Sequence, residues 1–191
     1  LAPALAVALV ALALGCGVAG AETETKPEAR RIVSLNPSLT AILVSIGAVQ
    51  SIVGVDDYSA EKIAVVASLP RVGGLFSPSL EAVVSLRPDV VVLVPSAEQR
   101  DFRTRLGELG VHVIAFENLH FDEVLANIRG LGAVAGRGVQ AAERIRAIVE
   151  ARESARRRAK GRARPGVLVV LQRDPVYVVG GGNFIQEMLE D

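Results

Sequence analysis

Few residues in this 191-residue chain have the types and spacing that chemistry needs. The adjacent carboxylates Asp56 and Asp57 could share acid–base work. Neighbouring carboxylates in loops are more often turn formers, because their side chains bond the backbone close by. Glu117 and His120 stand three residues apart, and both types ligate metals. Two donors do not make a site, and the chain has only two His, so a bare-metal centre is not expected. His112 alternates with Val111 and Val113 and reads as a structural strand residue. Gly180-Gly181-Gly182 lacks both the Lys-Ser/Thr of a phosphate-binding P-loop and the GxGxxG spacing. It reads as a turn. The only Cys is Cys16, so no thiol after Ala21 can act as a nucleophile or form a disulfide. These residues offer no convergent acid–base or nucleophilic set.

What they do offer is loops after strands. Short β-branched runs alternate with helical patterns, which implies a parallel sheet with helices on both faces. Strands are predicted at Ile32–Leu35, Ser51–Val55, Val90–Val94 and Val111–Phe116. Helices are predicted from Asn36-Pro37 to Ile46, from Ser77-Pro78 to before Pro88, around Phe102, Leu106 and Leu109, and around Val124 to Leu131. In open α/β sheets a ligand sits outside the carboxyl ends of the strands. Those ends are Asn36-Pro37-Ser38, Asp57-Tyr58, Pro95-Ser96 and Glu117-Asn118, with Leu75-Phe76 just before the helix that carries Glu81. The chain has five Phe, two Tyr and no Trp. Tyr58 and Phe76 near one mouth therefore suit a large planar or apolar ligand face. The alternatives are that Phe76 packs in the core and Tyr58 in a turn.

The rhythm changes near residue 139. Val139, Ala142, Ile145 and Val149 recur at helical spacing without a breaker, which predicts one long helix to Ala159. Between Arg152 and Arg164 stand seven Lys or Arg and one acid, Glu153. Cations suit a helix C-terminus; the run reads as a solvated face, with an anionic membrane surface as the alternative. Strand patterns then restart at Val167–Leu171 and Val176–Val179. Gly180 to Asn183 makes the turn into a helix from Phe184.

Lys plus Arg equals Asp plus Glu, for a formal net charge of zero. A dedicated nucleic-acid binder should be basic, so that class is excluded. Residues 1–21 are uncharged and end in the small-x-small site Ala19-Gly20-Ala21. That reads as the apolar region and cleavage site of a secretory signal, with an uncleaved anchor as the alternative. Ala13-Leu14-Gly15-Cys16 loosely resembles a lipobox, which makes Cys16 a candidate for lipidation; cleavage after Ala21 is preferred. Either route leads outside the cytoplasmic membrane. Residues 22–30 read as a flexible leader.

Several ordered stretches resemble the ferric-siderophore and vitamin B12 periplasmic-binding family, the helical-backbone solute-binding proteins of ABC importers. They are RIVSLNPSLT from Arg31 to Thr40, VGVDDY from Val53 to Tyr58, GGLFSPSLEA from Gly73 to Ala82, LRPDVV from Leu86 to Val91, LGVHVI from Leu109 to Ile114, and the run from Tyr177 to Leu189. Each is weak alone; the ordered set is specific. The resemblance implies two doubly wound α/β lobes bridged by one long helix, with the ligand in the cleft between them. The lobes and bridge would span residues 31–136, 137–161 and 165–191, the last an incomplete second lobe. It also implies a binding protein with no cofactor and no catalysis, a monomer that hands a small metal chelate to ABC permease subunits. Corrinoid ranks first, ferric siderophore or haem second; an enzyme on a similar sheet and a sensor ectodomain remain further readings. By the same resemblance Glu81 would dock the permease through an arginine; without it, Glu81 is a carboxylate favoured by a helix dipole. Family members often carry Glu after the Thr of the first loop, where this chain has Ala41.

Overall fold

The structure, a computed structural model, describes residues 30–96 and 100–191. The expected signal segment, Cys16 and all but the last residue of the expected leader lie outside the described residues. None of the described helices is long and apolar enough to cross a membrane.

Four strands, β1 (Ile32–Ser34), β2 (Ile52–Val55), β3 (Val90–Leu93) and β4 (His112–Ala115), form one sheet in the order β2-β1-β3-β4. Every neighbouring pair is parallel. β1 and β3 are wholly buried, which is why neither alternates apolar with polar residues; Ser34, the one polar side chain in them, is hydrogen-bonded to Thr40. Their side chains still divide by period two. Ile32, Val90 and Val92 join the core on one face, and Val33, Val91 and Leu93 join the core on the other.

Helices cover both faces. α1 (Pro37–Ser45) is capped by Asn36, whose Oδ1 accepts from the Ser38 N–H at 2.9 Å, with Pro37 at the first helical position. Leu39, Leu43 and Ile46 repeat at helical spacing and are buried on the first face. α5 (Phe121–Val134) and α6 (Gly138–Ala159) lie on that face too, through Ile128, Leu131 and Ala141. Gly132 lets them approach, since a Cβ there would lie 2.5 Å from that of Ala141. α3 (Leu80–Ser85) and α4 (Arg100–Glu108) cover the second face through Val83 and Leu106.

Four expectations shift within the first sheet and the long helix. A short helix, α2 (Asp57–Lys62), follows β2 where a loop was expected. The helix expected from Ser77-Pro78 opens instead at Leu80, with Ser79 as its cap. Its entry is delayed because Pro78 bridges Gly73 and the Ser79 N–H donates to the Val72 carbonyl at 2.7 Å, holding Pro78 and Ser79 out of the helix. Leu109 lies beyond α4 and is exposed. The long helix is present, but its inward stripe is Ala141, Ile145 and Ile148, while Val139 and Val149 are exposed. The two stripes differ by about a quarter of a turn, and the one facing α5 wins because Ala141 fits against Gly132.

α6 has 22 residues and so rises about 33 Å. Beyond it, β5 (Val170–Arg173) and β6 (Val176–Val178) pair antiparallel around Asp174-Pro175. β5 begins three residues later than expected, because its first rung pairs Val170 with Val178. α7 (Phe184–Glu190) follows, capped by Asn183.

Candidate functional site

All four strands are parallel, so their carboxyl ends share one edge of the sheet. The chain passes from β1 outward to β2, then crosses back to β3 and β4, so the winding reverses between β1 and β3. A crevice opens at such a reversal. The loops flanking it are those of Asn36-Ser38 and Pro95-Ser96. Ser96 Oγ is buried and has no hydrogen-bond partner among the described residues. A buried unpaired hydroxyl costs about 1–3 kcal/mol, and a ligand group or a water arriving here would satisfy it.

The edge is tied together by polar contacts. The Leu35 N–H donates to the Val92 carbonyl at 2.9 Å, the Asp56 N–H to Ser34 at 3.2 Å, and the Phe116 N–H to Leu93 at 2.9 Å. Beneath the loops after β1 and β2 runs a buried chain of side chains. Ser34 Oγ lies 2.8 Å from Thr40 Oγ1, which lies 3.1 Å from Ser59 Oγ, and Ser59 donates to the Asp56 carboxylate. Asp56 also caps α2, accepting from the Ser59 N–H at 2.8 Å. The Asp56-Asp57 pair is therefore divided: Asp56 is fully buried and structural, and Asp57 is an exposed first-turn residue of α2.

Tyr58 sits in that same first turn, not in a loop, and its ring is 51% exposed with Lys62 Nζ 5.6 Å from the centroid. Phe76 is 69% exposed, which removes the alternative that it packs in the core. Leu75 is half-buried. Both are carried by a turn that needs Gly73. Its φ is +101°, and a Cβ would lie 2.9 Å from the Ser77 carbonyl oxygen and 3.0 Å from the Ser79 nitrogen. The Asp57 N–H donates to the Gly73 carbonyl at 2.9 Å, so this turn and the Tyr58 helix stand side by side at the mouth.

Glu81 is exposed in the first turn of α3, where Ser79 Oγ accepts from the Ala82 N–H at 3.2 Å. Because α3 leads back to the start of β3, Glu81 lies toward the carboxyl edge of the sheet. Ala41 is exposed on α1, so the carboxylate absent there would have faced solvent.

The Glu117-Asn118 loop is held by a residue the sequence did not single out. Asn127, buried in α5, donates to the Glu117 carbonyl at 2.6 Å. His120 does not join Glu117. Its Nδ1 lies 2.8 Å from Glu187 Oε1 of α7, and the Glu123 carboxylate accepts from its backbone N–H at 2.9 Å. Arg152 stacks on Phe121, 3.9 Å from the ring centroid, and pairs with Asp191. Those hydrogen bonds, first from Arg152 and then from Arg156, hold the Asp191 carboxyl down at about 2. Among the described residues, no three His, Cys, Asp or Glu converge as metal ligands would. A roomy hollow of about 730 Å³ lies away from the mouth, beside the end of α6, lined by Arg156, Arg157, Lys160 and Arg164.

The family model described as periplasmic binding protein matches residues 32–191. The chain belongs to the periplasmic binding protein family. An uncharacterized ABC transporter substrate-binding lipoprotein of Bacillus subtilis (strain 168), YvrC, is 29% identical over 174 residues, 86% of this chain and 54% of the relative. The periplasmic heme-binding protein RhuT from Roseiflexus sp. RS-1, in apo form, is 27% identical with a TM-score of 0.71, over 85% of this chain and 64% of that one. The periplasmic vitamin B12 binding protein BtuF of Vibrio cholerae shares the fold, with a TM-score of 0.65 at 23% identity, over 81% of this chain and 60% of that one. The chain thus spans about half the length of its curated relative, and the two solved structures share its fold.

Proposed function

We propose that the protein is an extracytoplasmic solute-binding protein of an ABC importer that captures a planar metal chelate at the carboxyl edge of its sheet and hands it to the permease. The observation that carries this reading is the pair of exposed aromatics, Tyr58 and Phe76, on hydrogen-bonded neighbouring segments at that edge. Flat apolar rings suit a macrocycle, whose faces are broad and whose polar groups lie at the rim. Asn36, Ser38, Asp57, Ser96 and Asn118 supply hydrogen-bonding groups around it, and Leu75 adds apolar surface.

Corrinoid and haem both fit that face, and a ferric siderophore is the further reading. The B12-binding relative supports the corrinoid and the haem-binding relative, at higher identity, supports haem. In this reading residues 31–136 form the first lobe, 137–161 the bridge, and 165–191 the opening of a second lobe that faces the same mouth. The hairpin β5–β6 and α7, with Val170, Tyr177 and Leu189 exposed, are the apolar seed of that lobe. Glu81 would meet an arginine of the permease, a contact that orients as well as binds. Export places the protein beyond the cytoplasmic membrane, free after cleavage or held through Cys16.

The test is an absorbance and calorimetric titration of the full-length mature protein with cyanocobalamin, haemin and a panel of ferric siderophores. Saturable one-to-one binding of one of them is expected. Folded protein that binds none would overturn the proposal.

A further inference from the structure

α7 touches the first lobe at two points. The Phe184 N–H donates to the Leu119 carbonyl at 2.7 Å. The Glu187 carboxylate takes the Phe121 N–H at 2.9 Å on one oxygen and His120 Nδ1 at 2.8 Å on the other. All of these fall on the segment 119–121, directly after Asn118. The far end of α7 is anchored separately, by Asp191 to Arg152 and Arg156 on α6. One end of the helix therefore rests on guanidinium pairs that stay charged at any ordinary pH, and the other on an imidazole that does not.

We propose that His120 and Glu187 are positioning residues of the cleft: together they clasp the loop carrying Asn118 to the helix of the second lobe, and the clasp weakens when His120 sheds its proton. Its consequence for ligand capture rests on the binding role proposed above; the clasp itself does not. The groups that bear on His120 are Glu187 from α7, and Asp122 and Glu123 from the first turn of α5. Arg152 of α6 acts on Glu187. The hydrogen bond to Glu187, ahead of the other charges, raises His120 above its ordinary 6.5. The Phe121 N–H, ahead of His120, lowers Glu187 below its ordinary 4.5. The raised imidazole stabilises the closed arrangement fully below pH 6.5 and ceases to do so as pH climbs through its folded value. The lowered carboxylate contributes above pH 4.5 and fails only as pH falls through its own folded value. The clasp is therefore whole in mildly acidic solution and opens on the alkaline side, first at the imidazole, while the Arg152–Asp191 anchor persists.

The experiment needs no ligand, so its failure and that of the binding role are distinguishable. Amide hydrogen exchange of Phe121 and Phe184 is followed by NMR in the full-length mature protein between pH 6 and pH 9, corrected for intrinsic base catalysis and referenced to Val91 in β3. In the native protein their protection should fall by about threefold or more across that range, the size expected of a partly exposed ion pair. His120→Gln should hold protection at the high-pH level throughout, and Glu187→Gln should do the same while returning the His120 imidazole titration toward 6.5. Protection that is flat with pH in the native protein, or an imidazole titration that Glu187→Gln leaves unmoved, would overturn the clasp. Because His120 and Glu187 are partly exposed, neither substitution should unfold the chain; unchanged Val91 protection checks this.

Discussion

Truncating Phe76 to alanine should separate binding from stability. A fully buried Phe removes about 150–250 Å² from water, and this one leaves 69% exposed. Roughly 100–170 Å² thus remains for a ligand to cover, worth at most about 2.5–4 kcal/mol at ~25 cal/mol per Å². Incomplete coverage and the ordering of the turn reduce that, so about 1.5–3 kcal/mol, or ~10–100-fold in Kd, is the expected loss. The same change should move folding stability by no more than about 0.5 kcal/mol, because an exposed ring supports little of the core. The assay pairs a titration, using whichever of haemin, cyanocobalamin or ferric siderophore saturates the native protein, with urea unfolding of the ligand-free variant. Unchanged Kd with unchanged stability would remove Phe76 from the ligand face. A large stability loss would refute the reasoning itself, since it would mean the ring is packed and not displayed.

Glu81→Ala should leave the titration unchanged and reduce uptake by cells carrying the importer; lost binding with normal uptake would contradict a docking role. Gly73→Ala should cost about 1–3 kcal/mol in urea unfolding, because a side chain at φ +101° is strained, and should weaken ligand binding through Phe76; native stability would show that the turn relaxes freely. Asp56→Ala should cost about 2–4 kcal/mol, from a lost cap and the lost charge-assisted hydrogen bond from the buried Ser59 hydroxyl, while Asp56→Asn keeps the acceptor and should cost clearly less. Equal losses in the two would refute the hydrogen-bonding explanation.

The strands and both faces of the first sheet were legible because β1 and β3 are buried on both sides and are apolar but for Ser34, whose hydroxyl is bonded to Thr40. α1 was legible from Asn36-Pro37, which caps and opens it. α2 was not, since six polar-rich residues carry no apolar period; its signal was the Asp56 cap three residues before Ser59, hidden by the neighbouring Asp57. The inward stripe of α6 was not legible, because Val139 and Val149 are more apolar than Ala141, whereas close approach to Gly132 rewards the smaller residue. At the mouth, the loop positions followed from the parallel order alone. The residues that hold those loops, Asn127, Glu187 and Arg152, act across long stretches of chain, and no local pattern marks such pairings. Tyr58 and Phe76 were visible by their rarity, but only the folded chain separates a displayed ring from a packed one.

The central claim, that the carboxyl edge of the sheet is the ligand face, is tested most directly by hydrogen-exchange mass spectrometry of the full-length mature protein with and without the chelate that saturates it. Protection should rise in peptides covering residues 36–38, 56–58, 73–77, 94–96 and 117–119. It should stay unchanged at the opposite edge, around Gly47, Arg87 and Gly136. Protection that appears at the opposite edge, or spares the Tyr58 and Phe76 segments, would contradict the account.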